Sequence, residues 1–250
     1  MSDVVIIGAN GYLGRQLAFV LHQNNQSIIT ADIQNESIDG YSNYVQIDIT
    51  DETSVSKLPK NVTKVYMFAG LTGTKTDEES RELYTKVNVD GLQKVINHYR
   101  NEKIQLIFPS TRLVYKGVED TFLAEDAKKE AKTIYAENKL TCEQLLADEQ
   151  KTAAFNFTIY RICVPYGNLI DGQYSYGTLG FFLGRATTNE PITLFGNGGQ
   201  KRTFTHVKDI VDAILTSADL DLAKNNTYNI GSTDAFSLKE VATLIGNKYG

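Results

Sequence analysis

Tyr135 and Lys139 stand four residues apart in Tyr135-Ala136-Glu137-Asn138-Lys139, within a stretch that reads as a helix. On a helix that spacing puts both side chains on one face, with Cβ atoms about 5–6 Å apart. An ammonium beside a phenol favours the phenolate, so the pair is expected to lower the tyrosine pKa toward a working range for proton transfer. The pattern is common: chance gives about one such pair in a chain of this composition, and this chain holds two. In the second, Tyr99 and Lys103 bridge a helix end and the next strand, where they would not share a face. A hydroxyl partner is offered by Ser110 and Thr111 in Pro109-Ser110-Thr111-Arg112-Leu113-Val114-Tyr115, at the end of the strand before that helix. Such a strand-end pair can also do no more than satisfy backbone groups.

A second cluster lies at the start of the chain. Gly8-Ala9-Asn10-Gly11-Tyr12-Leu13-Gly14 separates a continuous apolar run at 4–7 from a helical pattern carrying Leu13, Leu17, Val20 and Leu21 on one face. Glycines at a strand-to-helix turn let the backbone approach a pyrophosphate, whose charge meets the free amides of the helix N-terminus. Asp32 closes the next strand, eighteen residues past Gly14, where a carboxylate can accept from both ribose hydroxyls and repel a 2′-phosphate. The expected cofactor is therefore NAD, in preference to NADP.

The elements that would position these residues alternate. Strand-like runs at 4–7, 27–31, 44–47, 64–69, 103–108 and 157–164 are interleaved with helical patterns, the longest at 77–100 and 134–149. Pro109 is expected to end the fifth strand, because it lacks a ladder donor. This order predicts an α/β fold: a Rossmann-type doubly wound parallel sheet with helices on both faces. Residues 1–166 form the expected NAD-binding part. Residues 167–250, looser and rich in Gly, Asn and Tyr, form a small substrate-binding lobe with helices near 178–188, 209–218 and 238–247. A strand near 227–230 is expected to return to the main sheet.

In spacing, Gly-x-x-Gly-x-x-Gly resembles the short-chain dehydrogenase/reductase family. Asp48-Ile49 resembles its adenine contact, Ala69-Gly70 its turn beneath the pyrophosphate, and Asn88 its helix asparagine. The resemblance places the catalytic hydroxyl four residues before Tyr115, on Thr111, with Ser110 as fallback. It assigns Tyr135 to proton transfer and Lys139 also to the nicotinamide ribose. Cofactor contacts are thus expected at Gly8, Asn10, Gly11, Tyr12, Leu13, Gly14, Asp32, Asp48, Ile49, Ala69, Gly70, Asn88, Tyr135 and Lys139. Arg161-Ile162-Cys163-Val164-Pro165-Tyr166-Gly167 and the run from Gln200 to Asp209 resemble the extended, nucleotide-sugar branch of the family, its NAD-dependent epimerase/dehydratases.

Within that branch, Arg202 is the expected diphosphate clamp, since a guanidinium fork matches phosphate oxygens. Lys201 could share the role, and Tyr174, Tyr176 and Phe195 could stack on base or sugar. Val164 replaces an asparagine that usually contacts substrate. The branch also continues past residue 247 through a segment that often supplies another phosphate-binding arginine, and the sequence leaves open whether this member is short or truncated. Sugar dehydratases carry an Asp-Glu pair directly after the catalytic Thr, but Arg112-Leu113 stands there. An NAD-dependent C4-type epimerase of the UDP-glucose 4-epimerase kind is the first expectation, a 4-keto-sugar reductase the second, and a dinucleotide-binding protein without turnover the third.

Totals narrow the classes further. The 250 residues are 42% hydrophobic and 22% charged, as in an ordinary globular chain. With 25 Lys and Arg against 30 Asp and Glu, the net charge of −5 disfavours nucleic acid as a partner. No apolar run is long enough for a bilayer, and the N-terminus lacks a secretory pattern. Two cysteines, Cys142 and Cys163, fit reduced thiols in the cytoplasm. His22, His98 and His206 are too scattered for a metal site, so no metal is expected. By resemblance, a homodimer through the helices bearing Asn88 and the Tyr-Lys pair is expected.

Overall fold

The computed structural model describes residues 3–118, 121–170, 176–194 and 196–249. Seven strands form one parallel sheet: β1 (Val4–Ile7), β2 (Ile28–Asp32), β3 (Tyr44–Gln46), β4 (Lys64–Met67), β5 (Gln105–Thr111), β6 (Asn156–Ile162) and β9 (Asn226–Ile230), in the order β3-β2-β1-β4-β5-β6-β9. β1 is apolar at every position because both its faces are covered. Val5 and Ile7 pack with Leu92, Val95, Ile96 and Leu146, from α4 (Gly91–Tyr99) and α5 (Ile134–Gln150). Val4 and Ile6 pack with Leu17, Leu21, Ile210 and Ile214, from α1 (Tyr12–Gln23) and α7 (Val207–Ser217). The expected return of the chain occurs at β9, which pairs with β6 from Thr158↔Asn226 to Ile162↔Ile230.

Four features depart from the sequence reading. β5 runs through Pro109, which pairs with Tyr160, and ends only at Thr111. Its odd-numbered amides face β4, as Gln105 N donating to the Thr63 carbonyl shows, but pairing with β4 stops at Ile107. Pro109 therefore removes a donor where no acceptor strand remains, and β6 alone carries the strand on. Second, α2 (Glu52–Val55), capped by Asp51, fills the connection from β3 to β4.

Third, the long helix after β4 is three pieces: α3 (Glu78–Thr85), a wide π-type turn at Lys86–Asp90, and α4. Fourth, a separate sheet forms from β7 (Val164–Tyr166), β8 (Lys201–His206) and β10 (Ala235–Ser237), with β8 central. β7 leaves the main sheet directly after β6, at Cys163. Phe182 of α6 (Gly177–Thr187), Phe204, and Val241 and Ile245 of α8 (Leu238–Tyr249) pack this second layer together. No helix among the described residues is long and apolar enough to cross a membrane.

Candidate active site

The strand order reverses between β1 and β4, and a crevice at the carboxyl ends of strands beside such a reversal is where open α/β sheets bind ligands. The Gly8–Gly14 loop opens there. Gly8 has φ +85°, and a Cβ on it would lie 2.3 Å from the Ala69 amide nitrogen. A Cβ on Gly14 would lie 2.1 Å from the Gly8 carbonyl oxygen. These two glycines let the loop close on itself and on the end of β4. Gly11 differs: it is exposed and caps α1 with no side chain on the helix amides. Tyr12 is buried with its ring stacked on Tyr176, centroids 4.4 Å apart, and Leu13 packs against the α1–α7 core. What both positions offer a ligand is their backbone amides.

Asp32 is held at the end of β2. Its Oδ2 accepts from the Asn10 amide at 3.0 Å and its Oδ1 from the Ile33 amide at 2.8 Å. The Asn10 side chain is spent on the loop after β2, donating to Gln34 Oε1 at 3.1 Å and to the Glu36 carbonyl at 2.9 Å. Asp48 makes a turn, its Oδ1 accepting from the Thr50 amide at 2.8 Å. The Ile49 side chain fills the core beneath Gly91. Asn88, in the π-type turn, clamps the loop after Ala69-Gly70. Its Oδ1 accepts from the Leu71 amide at 2.7 Å and its Nδ2 donates to the Leu71 carbonyl at 3.0 Å. The Cys142 thiol donates to the Asn88 carbonyl at 3.3 Å, so the widened turn binds α4 to α5.

Thr133 caps α5 by accepting from the Ala136 amide at 3.2 Å, and this sets Tyr135 in the first helical turn. α5 packs on β5 and on the turn at Arg112–Val114. Thr111 Oγ1 accepts from the Leu113 amide at 3.3 Å, which leaves its proton free to donate. Ser110 points the other way. Its hydroxyl donates to Glu143 Oε1 at 2.5 Å, inside a buried ion pair between Glu143 and Arg161 Nη2 at 2.5 Å. Arg161 also donates to the Tyr115 hydroxyl at 2.7 Å, and Tyr115 to Asn229 Oδ1 at 2.7 Å. This network ties β5, α5, β6 and β9 together behind Thr111. No signal in the sequence ranked Glu143 above an ordinary helix-surface acid.

The Lys139 ammonium lies 4.2 Å from the Phe108 ring centroid and 5.6 Å from that of Tyr135. It makes no hydrogen bond or ion pair among the described residues. Burial pushes its pKa down to about 8, against smaller upward pulls from Cys142 and Glu143. Burial raises the Tyr135 pKa instead, with Tyr176 and Cys142 adding to the rise. The expectation that Lys139 would lower it is therefore corrected. Desolvation of the phenolate wins, because the ammonium sits over the ring and makes no hydrogen bond to the hydroxyl. Tyr99 is fully buried, with its hydroxyl donating to the Pro59 carbonyl at 3.0 Å.

On the opposite wall, Arg202 of β8 donates to the Lys201 carbonyl at 2.8 Å and to Gln200 Oε1 at 2.7 Å. Strand alternation puts Lys201 on the other face of β8. Arg112, which the sequence reading treated only as a missing acid, feels the positive charge of Arg202. Tyr174 and Phe195 lie outside the described residues. No group of three metal-ligating side chains occurs among the described residues.

The model of the NAD dependent epimerase/dehydratase family matches residues 4–231. A UDP-N-acetyl-alpha-D-glucosaminuronate decarboxylase of Bacillus cytotoxicus is 28% identical over 95% of this chain and 77% of its own. A putative UDP-glucose 4-epimerase of Methanocaldococcus jannaschii is 24% identical over 99% of this chain and 82% of its own. Among solved structures, MoeE5 in complex with UDP-glucose and NAD superposes with a TM-score of 0.87 at 25% identity, over 98% of this chain and 81% of that one.

Proposed function

The chain belongs to the NAD dependent epimerase/dehydratase family, and on that premise we propose that it is a nucleotide-sugar C4 epimerase working through a transient 4-keto sugar. It is an NAD-dependent enzyme. Three features fit that cofactor: the uncapped amides of α1 behind Gly11 for the pyrophosphate, the held Asp32 carboxylate for the adenosine ribose, and the Lys139 ammonium, which has no hydrogen-bond or ion-pair partner among the described residues. Asp48, Ile49, Ala69, Gly70 and Asn88 are assigned to the same cofactor site. Residues 1–163, with α7 and β9, are the cofactor-binding part, three residues short of the expected boundary because Val164–Tyr166 pairs with β8, and the layer around β8 is the substrate lobe.

The observation that carries the reading is Lys139. A buried ammonium without an acceptor is costly, and a ribose hydroxyl with a phenolate nearby would satisfy it. Tyr135 takes the proton of the C4 hydroxyl and later returns it. The Thr111 hydroxyl donates to the same oxygen and fixes its position. Lys139 stabilises the phenolate while the proton is away. NAD, held by the Gly8–Gly14 loop, Asp32 and Lys139, would supply the reversible hydride acceptor for C4. Arg202 holds the diphosphate while the keto sugar turns to present its other face. Tyr176, stacked on Tyr12, borders that space. Dehydration would need an acid and a base after Thr111, and the Arg112 guanidinium and the Leu113 side chain are neither.

The same groups would serve a 4-keto-sugar reductase, and one assay separates the two. The purified protein is given UDP-glucose or UDP-galactose with no reductant, and the sugar is followed by NMR. Interconversion is the expected result. Consumption of a 4-keto sugar only after NADH is added would make it a reductase, and no turnover of any nucleotide sugar, neutral or uronate, with or without NADH would make it a binding protein.

A further inference from the structure

Arg112 is a half-buried guanidinium at the end of β5, one residue past Thr111. Its side chain makes no hydrogen bond and no ion pair among the described residues, so all five of its donors are unused. Its charged neighbour is Arg202, and the two guanidiniums repel. Burial, then Arg202, holds its pKa down to about 10, with Cys163 opposing; it remains a cation at neutral pH. Arg161, which is buried, shows what the fold does with a cation that serves structure. Arg161 is paired to Glu143 through Nε at 3.0 Å and Nη2 at 2.5 Å, and bonded to Tyr115 and the Glu125 carbonyl. Arg202 has its two neutral acceptors. Arg112 alone of the three has nothing, and an anion from outside the chain would relieve both its desolvation and its repulsion from Arg202.

We propose that Arg112 binds a carboxylate on the sugar ring, so that the preferred substrate is a nucleotide-linked uronate. The proposal rests on the nucleotide-sugar reading and deepens it. Position selects the sugar over the diphosphate: Arg112 is joined to Thr111, whose hydroxyl meets the reacting oxygen, while Arg202 reaches in from the second layer. The planar fork of a guanidinium matches the two oxygens of a carboxylate.

The test is calorimetric, on NAD-loaded protein, with UDP, UDP-glucose and UDP-glucuronate as probes, for the wild type, Arg112→Met and Arg112→Lys. A charge-assisted contact is worth about ten- to a hundredfold in affinity. The wild type is expected to prefer the glucuronate over the glucose by that factor. Arg112→Met is expected to erase the preference with UDP affinity unchanged, and Arg112→Lys to keep part of it. Removing an unpaired, half-buried charge should leave the melting temperature of Arg112→Met at or above that of the wild type. Should it fail to fold, Arg112→Gln replaces it. Equal wild-type affinity for the two sugars overturns the proposal. So does an equal loss for all three probes in Arg112→Met, which would put the guanidinium on the diphosphate and leave the nucleotide-sugar reading standing. If the wild type binds none of the three, nor their dTDP, GDP and CDP counterparts, that reading falls and the proposal with it.

Discussion

On the cofactor flank of the cleft, polar groups are tied to one another. The Asn10 amide holds Asp32 at 3.0 Å, and the Asn10 Oδ1 accepts from the Ile38 amide at 3.0 Å. Arg15 is locked to Asp39 at 2.6 Å. Across the cleft, the cations Lys139 and Arg112 have no hydrogen-bond partner among the described residues. The first arrangement is preorganised and loses little order when its ligand arrives. The second keeps desolvated charge in reserve, and that charge is neutralised only when substrate and cofactor complete the site. Stability and catalysis should therefore respond in opposite directions on the two flanks.

The sharpest break is Tyr135→Phe. It removes the proton carrier and leaves the ring, so turnover should fall by about a thousandfold or more while NAD affinity stays within about twofold. Kinetics and calorimetry on one preparation check this. Tyr99→Phe, at the unused Tyr-Lys pair, should lose only the bond to the Pro59 carbonyl, at a stability cost of about 1 kcal/mol.

On the preorganised flank, Gly14→Ala sets a methyl against the Gly8 carbonyl, where the clearance is 2.1 Å. Denaturant melts should show a loss of about 2–4 kcal/mol, and NAD affinity should fall with it.

Lys139→Met should have the opposite sign in stability. The folded pKa of Lys139, about 8, is below its ordinary 10.5, so the folded state carries a penalty for the charged form. That penalty is full below pH 8 and is relieved between about pH 8 and 10.5, where only the unfolded chain still binds the proton. At neutral pH the cofactor-free variant should be more stable than the wild type by about 1–3 kcal/mol, and the gap should close as pH rises through that window. Its residual activity should move the other way. Without the ammonium, the phenolate formed during turnover has no neighbouring cation, so kcat should fall while the cofactor-free fold gains stability.

The smallest effect is at Asp32. Asp32→Ala relieves repulsion of a 2′-phosphate and should narrow the preference for NAD over NADP by about tenfold, read by titrating both cofactors.

Local signals made the strand, the turn and the acid of the proposed cofactor flank legible. The apolar run of β1, the glycine spacing and the acid closing β2 are all set by neighbours in sequence, and the structure gathers them at one strand reversal. Pro109 misled because whether a missing donor matters depends on how far β4 extends, which is a long-range fact. The β7–β8–β10 sheet was invisible for a similar reason: its strands are three to six residues long and are defined by one another. The lowered Tyr135 pKa was expected from spacing alone, and spacing says nothing about burial. Arg112 could have been noticed as a cation set against the apolar pair Leu113-Val114 with no acid beside it. Glu143 could not, because it sits on α5 and its partner Arg161 on β6, a separate element.

The central claim is that hydride leaves C4 of a sugar and returns to it at Thr111, Tyr135 and Lys139. It is tested most directly by giving the NAD-loaded protein a UDP-sugar deuterated at C4, without reductant, and following the label by NMR. The account predicts the C4 epimer with deuterium still on C4, because the hydride never exchanges with water. Loss of the label to solvent, or no new sugar until NADH is supplied, would contradict it.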